Sequence, residues 1–380
     1  MKIAIIRKKY TFHGGAEGFS QTLITQLAEA GNEIHIYAMQ WEGNPSKNIF
    51  FHKVPVLTAN SFLRDLSFAI SCLFLLKNTS YDIIQSHDKT LYQDIYRAGD
   101  GCHLEWLRQR CLRTGLSGKL SIVLNPYHWL VLFLERMIFK GHRYHKILVI
   151  SDMVKRNIME NYGVPSPDME LIYNGVDLEK FHPRNSIKYR EKIRKQHGLL
   201  NSDFVVLFVG SGFERKGVQY LIQAVESLSD PVTVLIVGKG SEKKFKGLKK
   251  HQKIVFCGPQ RDIEKYYAAA DAFVFPTIYE PFGNVHLEAL ASGLPVITTK
   301  NSGAAEIIEQ GVNGFVVERP EDYKVIAEKI RILLDGSTRD SMSREARSLA
   351  EKFTFQRYTE EIMKLYNDVI ADQRKELKGR

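Results

Sequence analysis

Cysteine is scarce in this chain, four in 380 residues, and Cys72, Cys102, Cys111 and Cys257 show no CxxC spacing. That excludes a zinc ribbon and a disulfide framework, and suits a reducing compartment. No Asp-x-Asp pair occurs, so there is no obvious carboxylate couple to bring a metal ion to a diphosphate. Long apolar runs are missing too. Residues 66–76 are too few to span a bilayer, and residues 120–139 are broken by Asn125, Pro126, His128, Glu135 and Arg136. The opening MKIAIIRKKY leads directly into a short strand without an extended apolar segment, so no cleaved signal peptide is expected.

Acidic residues are also in deficit, 43 against 53 Lys and Arg, which leaves a net charge of +10. Such a charge suits nucleic acid, anionic lipid or an acidic substrate. Much of it falls between Arg97 and Lys146, where Arg108, Arg110, Arg113, Lys119, Arg136 and Lys140 are interleaved with Trp106, Tyr127, Trp129, Leu130 and Phe133. Basic and large apolar side chains in alternation fit a segment lying on anionic headgroups. An ordinary buried helix with a solvated basic face fits them equally.

What is present is a repeated alternation of short apolar strands and amphipathic helices. In the first half, strands are expected at 2–6, 34–38, 82–85, 95–98, 147–150 and 170–173, with helices at 16–30 and 153–162. The stretch 178–197 is charged and poor in apolar residues, as a boundary between halves would be. The pattern then restarts, with strands at 204–209, 232–237, 254–256, 272–275 and 295–298. The expected fold class is therefore α/β, with two facing Rossmann-like domains and a deep cleft between them. The expected units are 1–177, 178–354 and a closing helix at 355–380, with apolar residues at Tyr358, Ile362, Leu365, Tyr366 and Ile370 that pack on either half.

The most informative stretch is FPTIYEPFGNVHLEALASGLP, residues 275–295. It reads as a strand end, a loop, a glycine turn and a helix opening near Asn284, so that backbone N–H groups face a ligand beyond the strand, where anions bind. Glu280 and Glu288 flank that helix terminus, and carboxylates accept hydrogen bonds from paired hydroxyls. The loop GSGFERKG places Gly210 at another strand end, followed by Arg215 and Lys216, whose planar fork and point charge together suit a diphosphate. A phosphate between hydroxyl-rich groups describes a nucleotide sugar. In the first half, Gly14 and Gly15 stand at a strand-to-helix turn where backbone can approach a ligand closely. Asp100, His103 and His87 follow strand ends and are further candidates.

The ordered set Gly14-Gly15, SDMVKRN, YNGVD, GSGFERKG, EPFGNVHLE and SGLPVI resembles the retaining GT-B glycosyltransferases of family 4, over nearly the whole chain. Within that family, FVGSGFERKGV, QWEG and AGDGCH are most similar to the lipopolysaccharide-core enzymes that add the first glucose to an inner-core heptose. The resemblance implies that Arg215 and Lys216 hold the donor diphosphate, Glu288 the ribose hydroxyls, and Glu280 those of the transferred sugar. It also implies that amides of Phe282, Gly283, Asn284, Val285 and Gly15 surround the sugar and phosphates, with Gly14, Glu17 and Gly210 beside them. Asp100 becomes the catalytic-side residue, where many relatives have histidine, with His103 partly taking that place. The expected donor is UDP-glucose and the expected acceptor a lipopolysaccharide core or related glycolipid. No cofactor, metal or nucleic acid is expected, and the implied place is the cytoplasmic face of the inner membrane. UDP-galactose, UDP-N-acetylhexosamine and GDP-mannose are alternative donors, and a nucleotide-sugar 2-epimerase is an alternative activity. The resemblance also implies that the closing helix 355–380 returns to the first half, and closure about residues 174–182 is expected to complete the site.

Overall fold

The computed structural model describes residues 1–10, 15–42, 47–248 and 252–378. The chain forms two compact units, Met1–Tyr173 with Phe355–Arg380, and Asn174–Thr354.

In the first unit seven parallel strands form one sheet. Their order is Ile49–Lys53, Glu33–Ala38, Lys2–Ile6, Ile83–Ser86, Ile95–Arg97, Lys146–Val149 and Met169–Leu171. The central strands are buried on both faces, which is why they read as nearly continuous apolar runs such as IAII and ILV. The order reverses between Lys2–Ile6 and Ile83–Ser86. A crevice at the carboxyl ends of those two strands is where such sheets bind ligands.

The last helix, Phe355–Lys378, belongs to this unit. Tyr358, Ile362, Leu365, Tyr366 and Val369 recur at helical spacing and enter one core with Ile3, Ile5, Leu23, Leu27, Ile34 and Ile83. At about 2 kcal/mol for each large side chain buried, that stripe fixes the helix to the sheet. Thr359 and Tyr366 add side-chain hydrogen bonds to Gln26 and Gln85.

The second unit repeats the arrangement with six parallel strands. Their order is Lys253–Gly258, Thr233–Val237, Val205–Val209, Ala272–Phe275, Val296–Thr299 and Gly314–Val317. Here the order reverses between Val205–Val209 and Ala272–Phe275.

Two expectations are corrected. The first unit ends at Tyr173 rather than 177, because Val176 N–H donates to the Phe353 carbonyl at 2.9 Å and Val176 bridges to Thr354. The polar stretch 178–197, expected to be the boundary between the halves, lies inside the second unit and contains the helix Asn185–Gln196. That helix is anchored by a charge. Arg194 is 0 % exposed and donates to the carbonyls of Ala269, Leu200, Asn201 and Asp203 at 2.8–3.0 Å. It also meets Asp271 Oδ2 at 2.7 Å, and Arg190 meets Asp271 Oδ1 at 2.6 Å.

Candidate functional site

The second unit's candidate site is assembled at its strand-order reversal. After Val205–Val209 the chain turns through residues 210–217 into the helix Val218–Glu226. At Gly217 nothing larger fits, and a side chain at Gly210 would displace that of Lys216. A Cβ on Gly210 would lie 2.7 Å from Lys216 Cδ, and one on Gly217 would lie 1.8 Å from the Pro276 carbonyl oxygen. Gly217 also holds φ +79°, in the left-handed region that glycine favours.

That turn delivers Arg215 and Lys216 onto the loop beyond Ala272–Phe275. Arg215 Nη1 donates to the Tyr279 carbonyl at 2.9 Å and reaches Glu280 Oε2 at 3.3 Å. Lys216 Nζ lies 3.1 Å from the same oxygen and 5.1 Å from the Phe275 ring centroid. Burial raises the pKa of Glu280, but Lys216 and Arg215 together outweigh it and hold the carboxyl below its ordinary range. Glu280 is thus a buried, ionised acceptor between two cations. Its backbone is fixed as well, with N–H to the Asn301 carbonyl and C=O from Gly303 N–H, each at 2.9 Å.

Gly283, at φ +85°, turns the chain into the helix Asn284–Ala291. A Cβ at Gly283 would lie 2.7 Å from His286 Nδ1 and 3.0 Å from Glu280 Cγ, so glycine lets loop and helix start approach Glu280. Phe282 is buried beneath them, its carbonyl accepting from Ser302 Oγ at 3.1 Å. Asn284 Oδ1 accepts from Asn174 Nδ2 at 2.6 Å, and the Val285 carbonyl from Tyr267 O–H at 3.2 Å. One turn on, Glu288 Oε2 accepts from the same hydroxyl at 2.8 Å. Burial raises the Glu288 pKa, opposed by the Tyr267 hydrogen bond and by Lys180 and Lys216.

The structure therefore brings Arg215, Lys216 and Glu280 into direct contact. Sequence reasoning missed Tyr267, which orients Glu288, and His286. The His286 ring is wholly buried between the Gly283 carbonyl and the Thr298 hydroxyl, at 2.8 and 2.9 Å, and burial pushes its pKa down to about 4. A neutral histidine here braces the turn. Its place two residues into EPFGNVHLE's helix was the available signal.

In the first unit, Gly14 lies outside the described residues, as does the side chain of Glu17; Gly15 opens the helix Gly15–Glu29. Asp100 is exposed beyond Ile95–Arg97 and lines a cavity of about 290 Å³ with Arg7, Lys8, Arg64, His87 and Arg97. His103 begins the helix His103–Leu112; its N–H donates to Glu135 Oε1 at 2.8 Å and its Nε2 lies 3.1 Å from His128 Nδ1. Burial, then Lys89 and His128, bring its pKa down to about 3, although Asp100 opposes them. His103 is a neutral ring with one nitrogen engaged by His128. The cations around Asp100 escaped the sequence reading, since Arg7, Arg64 and Arg97 stand apart along the chain.

Comparison with known proteins agrees with this architecture. A model described as Glycosyltransferase Family 4 matches residues 13–180, and one described as Glycosyl transferases group 1 matches residues 189–349. The chain is 26% identical over 345 residues to the lipopolysaccharide glucosyltransferase WaaG of Escherichia coli K12, covering 89% of this chain and 90% of that protein. It is 25% identical to the N-acetyl-alpha-D-glucosaminyl L-malate synthase of Bacillus anthracis, covering 98% and 99%. The crystal structure of WaaG, a glycosyltransferase involved in lipopolysaccharide biosynthesis, superposes with a TM-score of 0.82 at 25% identity, covering 96% and 99%. With both family models in tandem, two parallel α/β sheets and whole-length likeness to WaaG, the chain belongs to the family 4 glycosyltransferases of the GT-B fold and is a glycosyltransferase.

Proposed function

We propose that the enzyme transfers glucose from UDP-glucose to a hydroxyl of a lipopolysaccharide-core or other cell-envelope glycan, with retention of anomeric configuration and without a metal ion. The observation that carries this reading is the contact of Arg215 and Lys216 with Glu280 at the sheet's switch point. Breaking the bond between sugar carbon and diphosphate leaves negative charge on the nucleotide and an oxocarbenium-like sugar. Fixed cations aimed at that charge stabilise it where another enzyme would use a metal. Arg215 and Lys216 take this role, which agrees with the missing Asp-x-Asp pair. The ionised Glu280 accepts from hydroxyls of the transferred sugar, Glu288 from the ribose, and amides of residues 282–285 face the sugar and phosphates. Gly210 keeps the loop open beside Lys216. For the first domain, the family resemblance implies substrate contacts at Gly14, Gly15, Glu17, Asp100 and His103. The leaving phosphate takes the acceptor proton on the same face. WaaG's name supports glucose and lipopolysaccharide as the first substrates to assay.

The test incubates the enzyme with UDP-glucose and purified inner-core lipopolysaccharide in excess chelator, and reads the anomeric coupling constant of the product. An α-linked glucoside is expected. A β-linked product refutes retention, and a requirement for manganese refutes the role given to the cations. UDP-glucose alone should be hydrolysed slowly at most; its epimerisation would replace the reading.

The enzyme's place, in this reading, is peripheral on the cytoplasmic face of the inner membrane. No single described helix is long and apolar enough to cross a membrane; Leu116–Val123 and Pro126–Phe139 pass that measure only together, bent by 57°. Both carry an exposed apolar stripe. Leu116, 86 % exposed, is followed by Leu120 and Val123, while Trp129 and Phe133 continue into Arg136 and Lys140. That pattern suits anionic headgroups. Replacing Trp129 and Phe133 with serine should weaken binding to phosphatidylglycerol vesicles by tenfold or more, from about 2 kcal/mol lost per side chain. Undiminished vesicle binding would overturn the assignment.

A further inference from the structure

The cavity beside Asp100 lies at the first domain's switch point, between the ends of Lys2–Ile6 and Ile83–Ser86. Open α/β sheets bind ligands at that position. Its lining is strongly biased. Five cations, Arg7, Lys8, Lys9, Arg64 and Arg97, face two carboxylates, Asp88 and Asp100. Lys8 Nζ pairs with Asp65 at 2.8 Å and Asp88 at 3.1 Å, and Arg64 Nε with Asp65 at 2.8 Å. Arg7 donates to the Ser20 hydroxyl, and Arg97 Nε reaches the Tyr358 hydroxyl at 3.4 Å. Even with Asp65 included, positive charge is in excess.

A second observation is independent of that charge. His87 is 7 % exposed, and its Nδ1 is buried without a hydrogen-bond partner among the described residues. The other ring nitrogen is committed. The Tyr366 hydroxyl, on the last helix, donates to Gln85 Oε1 at 3.0 Å, which leaves the Gln85 amide nitrogen facing His87 Nε2 at 2.6 Å as a donor. A ring nitrogen that accepts carries no proton, so the neutral ring keeps its proton on Nδ1. Burial, then Arg97 and Arg7, hold the His87 pKa well below its ordinary value, in keeping with a neutral ring. A buried N–H among cations calls for an acceptor atom.

We propose that this cavity receives an anionic substituent, phosphate or carboxylate, carried by the acceptor, with His87 Nδ1–H and the surrounding cations as its ligands and Tyr366 as a positioning residue acting through Gln85. The inference rests on the transferase reading above and names the chemical class of its acceptor. The carboxylates of Asp65 and Asp88 hold Lys8 and Arg64 in place, and the ring N–H is the directional donor beside them. A sugar hydroxyl can accept from that donor, but it supplies no charge to balance the excess of cations.

The test uses full-length protein labelled with ¹⁵N-histidine, titrated with inorganic phosphate, malonate or glycerol. In the free protein His87, assigned by the resonance lost in H87Q, should show the Nδ1–H tautomer. Phosphate or malonate should shift it saturably and glycerol should not; whichever binds more tightly identifies the anion. Tyr366→Phe should release the tautomer to a mixture. Arg64→Ala, at a half-exposed position, and His87→Gln should each weaken anion binding about tenfold. An Nε2–H tautomer, equal response to glycerol, or unchanged binding in Arg64→Ala would overturn the proposal. Displacement of phosphate from His87 by UDP would also do so, since the site would then serve the donor. UDP affinity measured on the same samples separates the two readings. Protein that binds UDP but no anion here loses only this inference, while protein that binds the anion but no UDP loses the donor assignment.

Discussion

Replacing Lys216 with alanine isolates the charge on which the transferase reading depends. Its Nζ is 3.1 Å from Glu280 Oε2, and Arg215 Nη1 is 3.3 Å from the same atom. At an effective dielectric of about 20, each such pair carries roughly 5 kcal/mol of Coulomb attraction before the cost of desolvation is counted. Because Arg215 remains, the variant keeps Glu280 paired and should fold. Catalysis has no such reserve, since the leaving diphosphate gathers negative charge as the bond breaks. Losing one oriented charge of this kind costs about 3 kcal/mol, or about a hundredfold in rate. The assay is steady-state transfer from UDP-glucose, with thermal unfolding as the control for folding. If Lys216 acts on the transition state, kcat and kcat/KM should fall together; a rise in KM alone would mean that it merely binds the ground state. Lys216 is also the largest of the groups lowering the Glu280 pKa. Its removal should therefore move the acid limb of the rate profile to higher pH. A folded variant turning over at the wild-type rate refutes the argument.

Three further outcomes follow from local geometry. Arg194→Ala should lower the unfolding free energy by about 3 kcal/mol or more, read from urea denaturation, because it leaves the carbonyls of Ala269, Leu200, Asn201 and Asp203 without their donor and Asp271 with Arg190 as its remaining arginine. Gly217→Ala should cost about 1–3 kcal/mol by the same measurement, since φ +79° and a contact of 1.8 Å with the Pro276 carbonyl oxygen leave no room for a methyl group. Glu280 contributes stability that depends on pH with a definite sign. Its folded pKa lies below the unfolded value of about 4.3, so its contribution is complete above that value and is lost as pH falls through the folded one. Urea midpoints taken across that acid range should fall more steeply in the wild type than in Glu280→Gln.

Much of this was legible in the residues, for reasons of period and punctuation. Buried parallel strands such as VVLFV and TVLIV announce themselves as apolar runs, and glycines that permit close approach, Gly210, Gly217 and Gly283, lie where strand gives way to helix. The Arg215, Lys216 and Glu280 contact was foreseeable because both loops follow neighbouring strands of one sheet. The helix Asn185–Gln196 was hidden because its anchor is polar. NSIKYREKIRKQ carries almost no apolar stripe, and Arg194 is buried through hydrogen bonds to the turn that follows it and to Ala269 and Asp271, far along the chain. The edge strands Ile49–Lys53 and Gly314–Val317 were missed for their shortness, although the turn residues GNPS and NG stand just before them. Tyr267 was invisible for another reason. Its hydroxyl meets Glu288 across 21 positions of sequence, and neither residue type predicts the other.

The two sheets share one strand order over six strands, and each places the same chemistry at its reversal. After the first strand in sequence comes an arginine-lysine pair, Arg7 and Lys8 in one domain, Arg215 and Lys216 in the other. After the strand beside it, on the far side of the reversal, comes a carboxylate, Asp88 or Glu280. In both domains lysine and carboxylate meet at 3.1 Å. The topology explains why: two adjacent parallel strands end at one level, so the loops leaving them put their first long side chains into the same crevice. An acid placed there confines the lysine, and the neighbouring arginine adds charge to the site. What differs is the third group. The second domain adds a helix N-terminus and Glu288, which suit phosphate flanked by hydroxyls, whereas the first adds the neutral donor of His87. Exchanging the carboxylates for amides should therefore act on different ligands: Glu280→Gln should weaken UDP-glucose, and Asp88→Asn should tighten the binding of inorganic phosphate by removing a competing negative charge. If Asp88→Asn leaves phosphate binding unchanged, the likeness between the two crevices is geometric only and has no chemical consequence.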